Sequence, residues 1–212
     1  MIKAVVLLSG RGSNLKALLE SDLPVTFTAV ISNRADAPGL DHARRHGIPA
    51  LALDHRAYSS REAFDQILAS RIDEAGADLV ILAGYMRILS KAFVDHYQGR
   101  LLNIHPSLLP AFPGLNTHAH ALAEGVKIHG CTVHFVEPRL DHGPIIIQAA
   151  VPVLPEDTHE TLAARVLVEE HRIYPLAVRW FAQHRLVISD GIVNVKGETA
   201  SQALCSDTFP HD

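Results

Sequence analysis

Five short apolar runs rich in β-branched residues, at 4–8, 25–31, 48–53, 78–83 and 100–104, constrain this chain more than any other feature. Between them lie segments with helical spacing and polar faces, the alternation expected of βαβ units. Val5-Val6-Leu7-Leu8 and Leu79-Val80-Ile81-Leu82 are continuously apolar rather than alternating. That predicts strands covered on both faces, as in a parallel sheet with helices above and below. The first half therefore reads as a doubly wound α/β sheet. Ser59 followed by Glu62 predicts a capped helix from 60 to 75, with Ala63, Phe64, Ile67 and Leu68 facing inward and Gly76 ending it.

The second half changes character. Pro106-Ser107-Leu108-Leu109-Pro110-Ala111-Phe112-Pro113-Gly114 carries three prolines, which forbid a continuous helix and predict an ordered surface loop. Residues 129–137 and 145–153 read as two more strands, antiparallel, joined by a turn around Leu140-Asp141-His142-Gly143-Pro144. Asp157 and Glu160 cap a helix running to 183, and from Gly191 the sequence is polar and weakly patterned. The expected organisation is one catalytic domain over 1–190 and a weakly structured tail over 191–212. Its sheet is mostly parallel and Rossmann-like, with helices on both faces and antiparallel strands added after strand five.

A chain of 212 residues that is 48% hydrophobic can bury one sizeable core, so a single domain is expected. The formal net charge of -4 argues against a general polyanion-binding surface, and no nucleic-acid partner is expected. No apolar stretch approaches the roughly 18 to 20 residues that cross a bilayer, so no membrane insertion is expected. Cys131 and Cys205 are far apart and form no CxxC pair. Neither a disulfide framework nor a metal site is suggested, and a reducing cytoplasm fits.

Three segments could carry chemistry. Ser9-Gly10-Arg11-Gly12-Ser13-Asn14 falls where strand one should turn into helix one, and its glycines let backbone N–H groups approach an anion. It is neither the dinucleotide fingerprint, lacking the third glycine, nor a P-loop. A tight turn with Ser13 or Asn14 as an ordinary helix cap fits the segment equally well. Asn103-Ile104-His105 ends a predicted parallel strand, where open α/β sheets place their ligand crevice. Side chains two apart on a strand share one side, so an amide donor and an imidazole would face one volume. An amide can meet a developing oxyanion while an imidazole moves a proton, which is what formyl or acyl transfer to an amine requires. An isolated histidine at a strand end is more often a satisfied structural residue, and this chain has 14 histidines. Asp141, in the later turn, would orient that imidazole and favour its charged form if the two approach, but an ordinary Asp-x-Gly turn fits the same residues. Met86-Arg87-Ile88-Leu89 after Gly84 offers apolar surface for a flat ring, or simply completes the core. Arg61 and Glu169-Glu170-His171-Arg172 read from composition as solvated helix faces.

Taken together, Gly10 to Asn14, Gly84-Tyr85-Met86-Arg87-Ile88-Leu89, Asn103-Ile104-His105-Pro106-Ser107-Leu108-Leu109-Pro110, His129-Gly130 and Leu140-Asp141-His142-Gly143-Pro144 resemble the glycinamide ribonucleotide formyltransferases, folate-dependent formyltransferases of purine synthesis. The resemblance runs in order across 2–188, and Glu170 to Leu176 points to the glycinamide members. It implies that the formyl donor is 10-formyltetrahydrofolate and that no metal takes part. It further implies that Gly12, Ser13 and Asn14 bind the substrate phosphate, with Glu170, His171, Arg172 and Ile173 around the rest of the ribonucleotide. Arg61, Met86, Arg87, Ile88 and Leu89 would hold the folate, with Asn103 and with Glu137, Pro138, Arg139, Leu140 and Asp141 lining the pterin. Asn103, His105 and Asp141 would form the catalytic group of a monomer or homodimer. Three places depart from the pattern: Asn116 stands where some members carry histidine, His142 adds a titratable neighbour to Asp141, and Glu137-Pro138-Arg139 alters the pterin loop. A formyltetrahydrofolate hydrolase or a non-catalytic nucleotide sensor are the competing expectations.

Overall fold

Each apolar run of the first half becomes a strand. The structure, a computed structural model, describes residues 1–197 and 202–207 and divides them into two compact units. The first comprises Met1–Asn103 and Phe135–Pro138, the second Ile104–His134 and the described residues from Arg139 onward.

In the first unit the order along the chain is β1 (Ile2–Leu8), α1 (Ser13–Leu19), β2 (Val25–Ser32), α2 (Gly39–Arg45), β3 (Ala50–Ala52), α3 (Arg61–Glu74), β4 (Leu79–Leu82), α4 (Lys91–His96) and β5 (Leu101–His105), whose last two residues belong to the second unit. The strands lie side by side as β3-β2-β1-β4-β5, every neighbouring pair parallel. Val5, Val6, Leu7 and Leu8 are wholly buried, as continuous hydrophobicity demands of a strand covered on both faces. Val5, Leu7, Val80 and Leu82 meet Phe64, Leu68 and Ile72 of α3, Phe93 and Val94 of α4, and Tyr97 just after it in one cluster. Burying each large aliphatic side chain there contributes about 1.5–3 kcal/mol.

The helix expected from 60 to 75 is present with its cap one residue later: the Ser60 hydroxyl, not that of Ser59, accepts the Ala63 N–H at 3.0 Å. Its buried line is Phe64, Leu68 and Ile72 at intervals of four, with Asp65 beside it, whereas Ile67 is 37% exposed. Asp65, Leu68 and Ile72 extend the buried arc to one side of Phe64, and Ile67 lies at the other side, past its edge. Gly76 follows at φ +68°, the left-handed conformation that ends the helix.

The second unit contains α5 (Thr117–Ala123), β6 (Ile128–Phe135, its last residue in the first unit), β7 (Ile145–Pro152), α6 (His159–Ala182), β8 (Leu186–Ser189), β9 (Ile192–Val195) and β10 (Ala203–Cys205). β6 and β7 are antiparallel as expected, and β10 pairs with β7 in parallel. The cap of α6 is Thr158 in a reciprocal pair with Thr161, rather than Asp157 with Glu160. Asp157 instead receives two Arg165 hydrogen bonds at 2.7 and 2.8 Å, which hold its carboxyl well below the ordinary carboxylate range. Weak structure was expected from 191 onward, yet β8 and β9 form a hairpin about Asp190 and Gly191, at φ 51° and 77°. Two consecutive positive-φ residues make the turn type that suits strand twist, and Asp-Gly adopts it readily. Residues 198–201 and 208–212 of that tail lie outside the described residues. No helix among the described residues is long and apolar enough to cross a membrane.

Candidate active site

In the first unit, chain order reverses between β1 and β4, and the carboxyl ends of two strands that part there leave a crevice. A cavity of about 550 Å³ occupies this place, lined by Ser9 to Asn14 after β1, Ala83, Gly84, Met86 and Arg87 after β4, and Asn33, Arg34 and His55. Its lining includes three arginines and a histidine and no carboxylate, a charge balance suited to an anion. Gly12 sits at φ +74°, and a Cβ there would lie 2.6 Å from the Gly39 Cα. Gly39 donates its N–H to the Gly10 carbonyl at 3.0 Å, so α2 begins against the turn. Close backbone approach explains both glycines. The sequence reading missed Gly39 because its need arises only from this tertiary contact.

The same cavity thus joins Gly12, Ser13 and Asn14 with Met86 and Arg87. Ile88 is 60% exposed, while Leu89 packs on the core cluster. Arg61 is exposed and paired with Glu62 at 3.2 Å.

In the second unit His105, at the end of β5, is buried, and its Nδ1 lies 3.5 Å from Asp141 Oδ2. Its Nε2 is 2.9 Å from the Phe112 carbonyl. A carbonyl can only accept, so Nε2 carries a hydrogen and Nδ1 is the nitrogen left to exchange a proton beside the carboxylate. Asp141 adopts φ 49° and its Oδ2 also accepts the Gly114 N–H at 2.8 Å. The proline-rich loop therefore fixes both partners. The loop is held in turn by Ser107 Oγ on the Ala111 carbonyl at 2.6 Å, Thr132 Oγ1 on the Ser107 carbonyl at 2.7 Å and Gln148 Nε2 on the Leu109 carbonyl at 2.9 Å. Each satisfies a backbone group that a strand or helix would otherwise satisfy.

Residues 137–140 are exposed. His142 is also exposed and stands 3.1 Å from Arg139 Nη1. Asn116 takes φ 57° at the start of α5, a left-handed conformation that asparagine tolerates. In α6, Glu170 is buried and Ile173 wholly so, and Arg172 pairs with the buried Glu169 at 2.9 Å.

Behind His105 lies a cluster absent from the sequence reading: His118 Nδ1 is 3.2 Å from His129 Nε2, and the His159 ring is 5.5 Å from His118. Burial, then repulsion from His129, His159 and His105, lowers His118 to about 4. Burial and His105 do the same for His129. Both rings are depressed below the unfolded value of 6.5, so the unfolded chain binds more protons between the two values. Stability from this pair is complete above 6.5 and is lost as pH falls toward 4. Melting temperature should decline through that window, less steeply in His118→Asn, and equal slopes in the two proteins would remove the pair from acid sensitivity.

Comparison with known proteins agrees with this fold. Residues 2–178 match the Formyl transferase family, and the chain belongs to that family. It is 51% identical over 198 residues to the phosphoribosylglycinamide formyltransferase of Escherichia coli K12, covering 92% of this chain and 93% of that one. Glycinamide ribonucleotide transformylase 1 from Symbiobacterium toebii superposes with TM-score 0.90 at 55% identity, covering 92% of this chain and 94% of its own. Phosphoribosylglycinamide formyltransferase from Coxiella burnetii gives TM-score 0.89 at 46% identity over 99% of both.

Proposed function

We propose that this chain transfers the formyl group of 10-formyltetrahydrofolate to the primary amine of glycinamide ribonucleotide, a step of purine biosynthesis. The observation that carries the reading is the buried His105–Asp141 pair at 3.5 Å, two residues after Asn103 on β5. Alternation along a strand puts Asn103 and His105 on one side. The anion-suited cavity at Gly12, Ser13 and Asn14 supports a phosphorylated acceptor, and the exposed apolar side chains of Met86 and Ile88 support a flat heterocyclic donor.

The substrate amine attacks the formyl carbon, and the carbonyl electron pair moves to oxygen. The Asn103 amide and the Nδ1 proton of His105 meet that oxyanion, with Asp141 opposing the charge on the ring. Collapse breaks the bond to the folate nitrogen, which takes the proton lost by the attacking amine. Hydrogen-bond donors suffice for this chemistry, so the reading requires no metal. Arg61, Arg87, Ile88, Leu89 and residues 137–141 would complete the folate contacts. Glu170, His171 and Arg172 would contact the ribonucleotide, the wholly buried Ile173 acting by packing beneath them. The unbridged Cys131 and Cys205 suit a reducing cytoplasm, and a monomer or homodimer is proposed.

Formyl-folate consumption measured with and without glycinamide ribonucleotide tests the reading. Acceptor-dependent turnover supports it, acceptor-independent turnover indicates a hydrolase, and none indicates a sensor. Gly12→Ala should raise KM for the ribonucleotide by about tenfold or more, because a left-handed alanine is strained by roughly 1–2 kcal/mol before its clash with Gly39 is counted. An unchanged KM would separate this turn from the phosphate.

A further inference from the structure

The stretch from Gly84 to Ser90 contains no regular secondary structure, yet two buried side chains, one just after β1 and one from α3, tie it down. Near its start, Ser9 is 5% exposed and its hydroxyl acts in both directions, accepting the Met86 N–H at 2.8 Å and donating to Asn33 Oδ1 at 2.5 Å. The Ser9 N–H also donates to the Gly84 carbonyl at 3.1 Å. At its other end, Asp65 of α3 is 2% exposed and its Oδ2 accepts the Ser90 N–H at 2.6 Å. Asp65 Oδ1 is buried and receives no hydrogen bond among the described residues. Between the two ties, the Arg87 guanidinium lies 4.9 Å over the ring of Phe64, the residue before Asp65.

A carboxylate on the inner line of a helix, satisfied at one oxygen only, is a poor choice for packing. An apolar residue would serve the core better. What the carboxylate supplies is a fixed acceptor for one loop amide, and the Ser9 hydroxyl supplies another four residues earlier. A loop without ladder hydrogen bonds loses conformational freedom when it closes on a ligand, and prior fixation removes that loss from binding.

We propose that Ser9 and Asp65 are positioning residues that hold Gly84–Ser90 in the form that receives the formyl-folate, with Ser9 also joining that segment to the phosphate turn. This rests on the assignment of Met86 to Leu89 to the folate. Asp65 acts through the Ser90 amide, and Ser9 through the Met86 amide and Asn33.

The test is a KM-against-kcat comparison on the full chain. Asp65→Ala should raise KM for formyl-folate about tenfold, the size of one lost buried hydrogen bond, with kcat and KM for the ribonucleotide little changed. Asp65→Asn keeps an oxygen for the Ser90 N–H and should restore most of the loss. Ser9→Ala should raise both KM values, since Ser9 serves both segments. Hydrogen exchange should accelerate at the Ser90 amide in the first variant and at Met86 in the last. Should Asp65→Ala fail to fold, Asp65→Leu, at home in an apolar setting, takes its place with the same expectation. A folded variant with unmoved KM for formyl-folate, or one in which asparagine is as poor as alanine, overturns the proposal alone. A wild-type chain that neither binds nor consumes formyl-folate overturns the parent reading and this one with it.

Discussion

Replacing His105 by alanine should lower kcat by on the order of 10²–10⁴, the range lost when a positioned proton-transfer group is removed. The imidazole is placed to exchange a proton beside a carboxylate while its other nitrogen is anchored, at 2.9 Å, on the Phe112 carbonyl. Removing it deletes the donor to the oxyanion and leaves the Asp141 charge unopposed in a half-buried turn. The Phe112 carbonyl loses its imidazole donor as well and keeps only the Ser107 hydroxyl at 3.1 Å, which costs about 0.5–1.5 kcal/mol of stability. Thermal melting must therefore accompany the kinetics. The expected signature is a folded protein with kcat depressed and the imidazole limb missing from its pH–rate profile. An unchanged profile would assign the proton to another group. Asp141→Asn should fall in the same direction by a smaller factor, since the amide still accepts the Gly114 N–H that shapes the turn.

Much of the framework is legible from residue pattern alone, and the reasons it stops are specific. Val5 to Leu8 and Leu79 to Leu82 announce covered parallel strands because nothing polar interrupts them, and they are wholly or nearly buried. Their neighbourhood in the sheet is not in those residues. That β4 lies beside β1, leaving a crevice after Leu8 and Leu82, follows from the crossover of the chain, which no local window contains. Adjacent serines at 59 and 60 offer two cap registers, and Ser60 is the one whose hydroxyl accepts a helix amide, that of Ala63. Thr158 displaces Asp157 as a cap because Asp157 is drawn to Arg165, eight residues further along the chain. The hairpin at Asp190-Gly191 is a local signal, carried by the strand-turn-strand pattern of Leu186 to Val195, which the polar residues further along mask when the tail is taken as a whole.

The candidate site divides along the same line. Asn103 and His105 are neighbours on a strand, so their common side is a local property. The approach of Asp141 to His105 is not, since it depends on the proline-rich loop folding so that Gly114 presents its amide to the same carboxylate. The histidines at 118, 129 and 159 belong to two helices and a strand, and only assembly brings their rings together.

Asn103→Ala should lower kcat by roughly 10²–10³, the loss found when one donor to a developing oxyanion is removed, equivalent to about 2.7–4 kcal/mol of transition-state stabilisation. Its effect should differ in kind from that of the histidine. An amide carries no titratable proton, so the shape of the pH–rate profile should survive while its height falls. Ground-state binding of the folate, which Asn103 also contacts in this reading, should change far less than kcat, because the charge that Asn103 meets develops only when the carbonyl electrons move to oxygen. Asn103→Gln retains the amide but shifts it by one methylene, and preorganised donors work only at the right distance, so glutamine should recover little. Measured kcat and KM for both substrates decide the matter. A variant whose KM rises while kcat holds would make Asn103 a binding group for one substrate, and near-normal turnover would remove it from the reaction altogether.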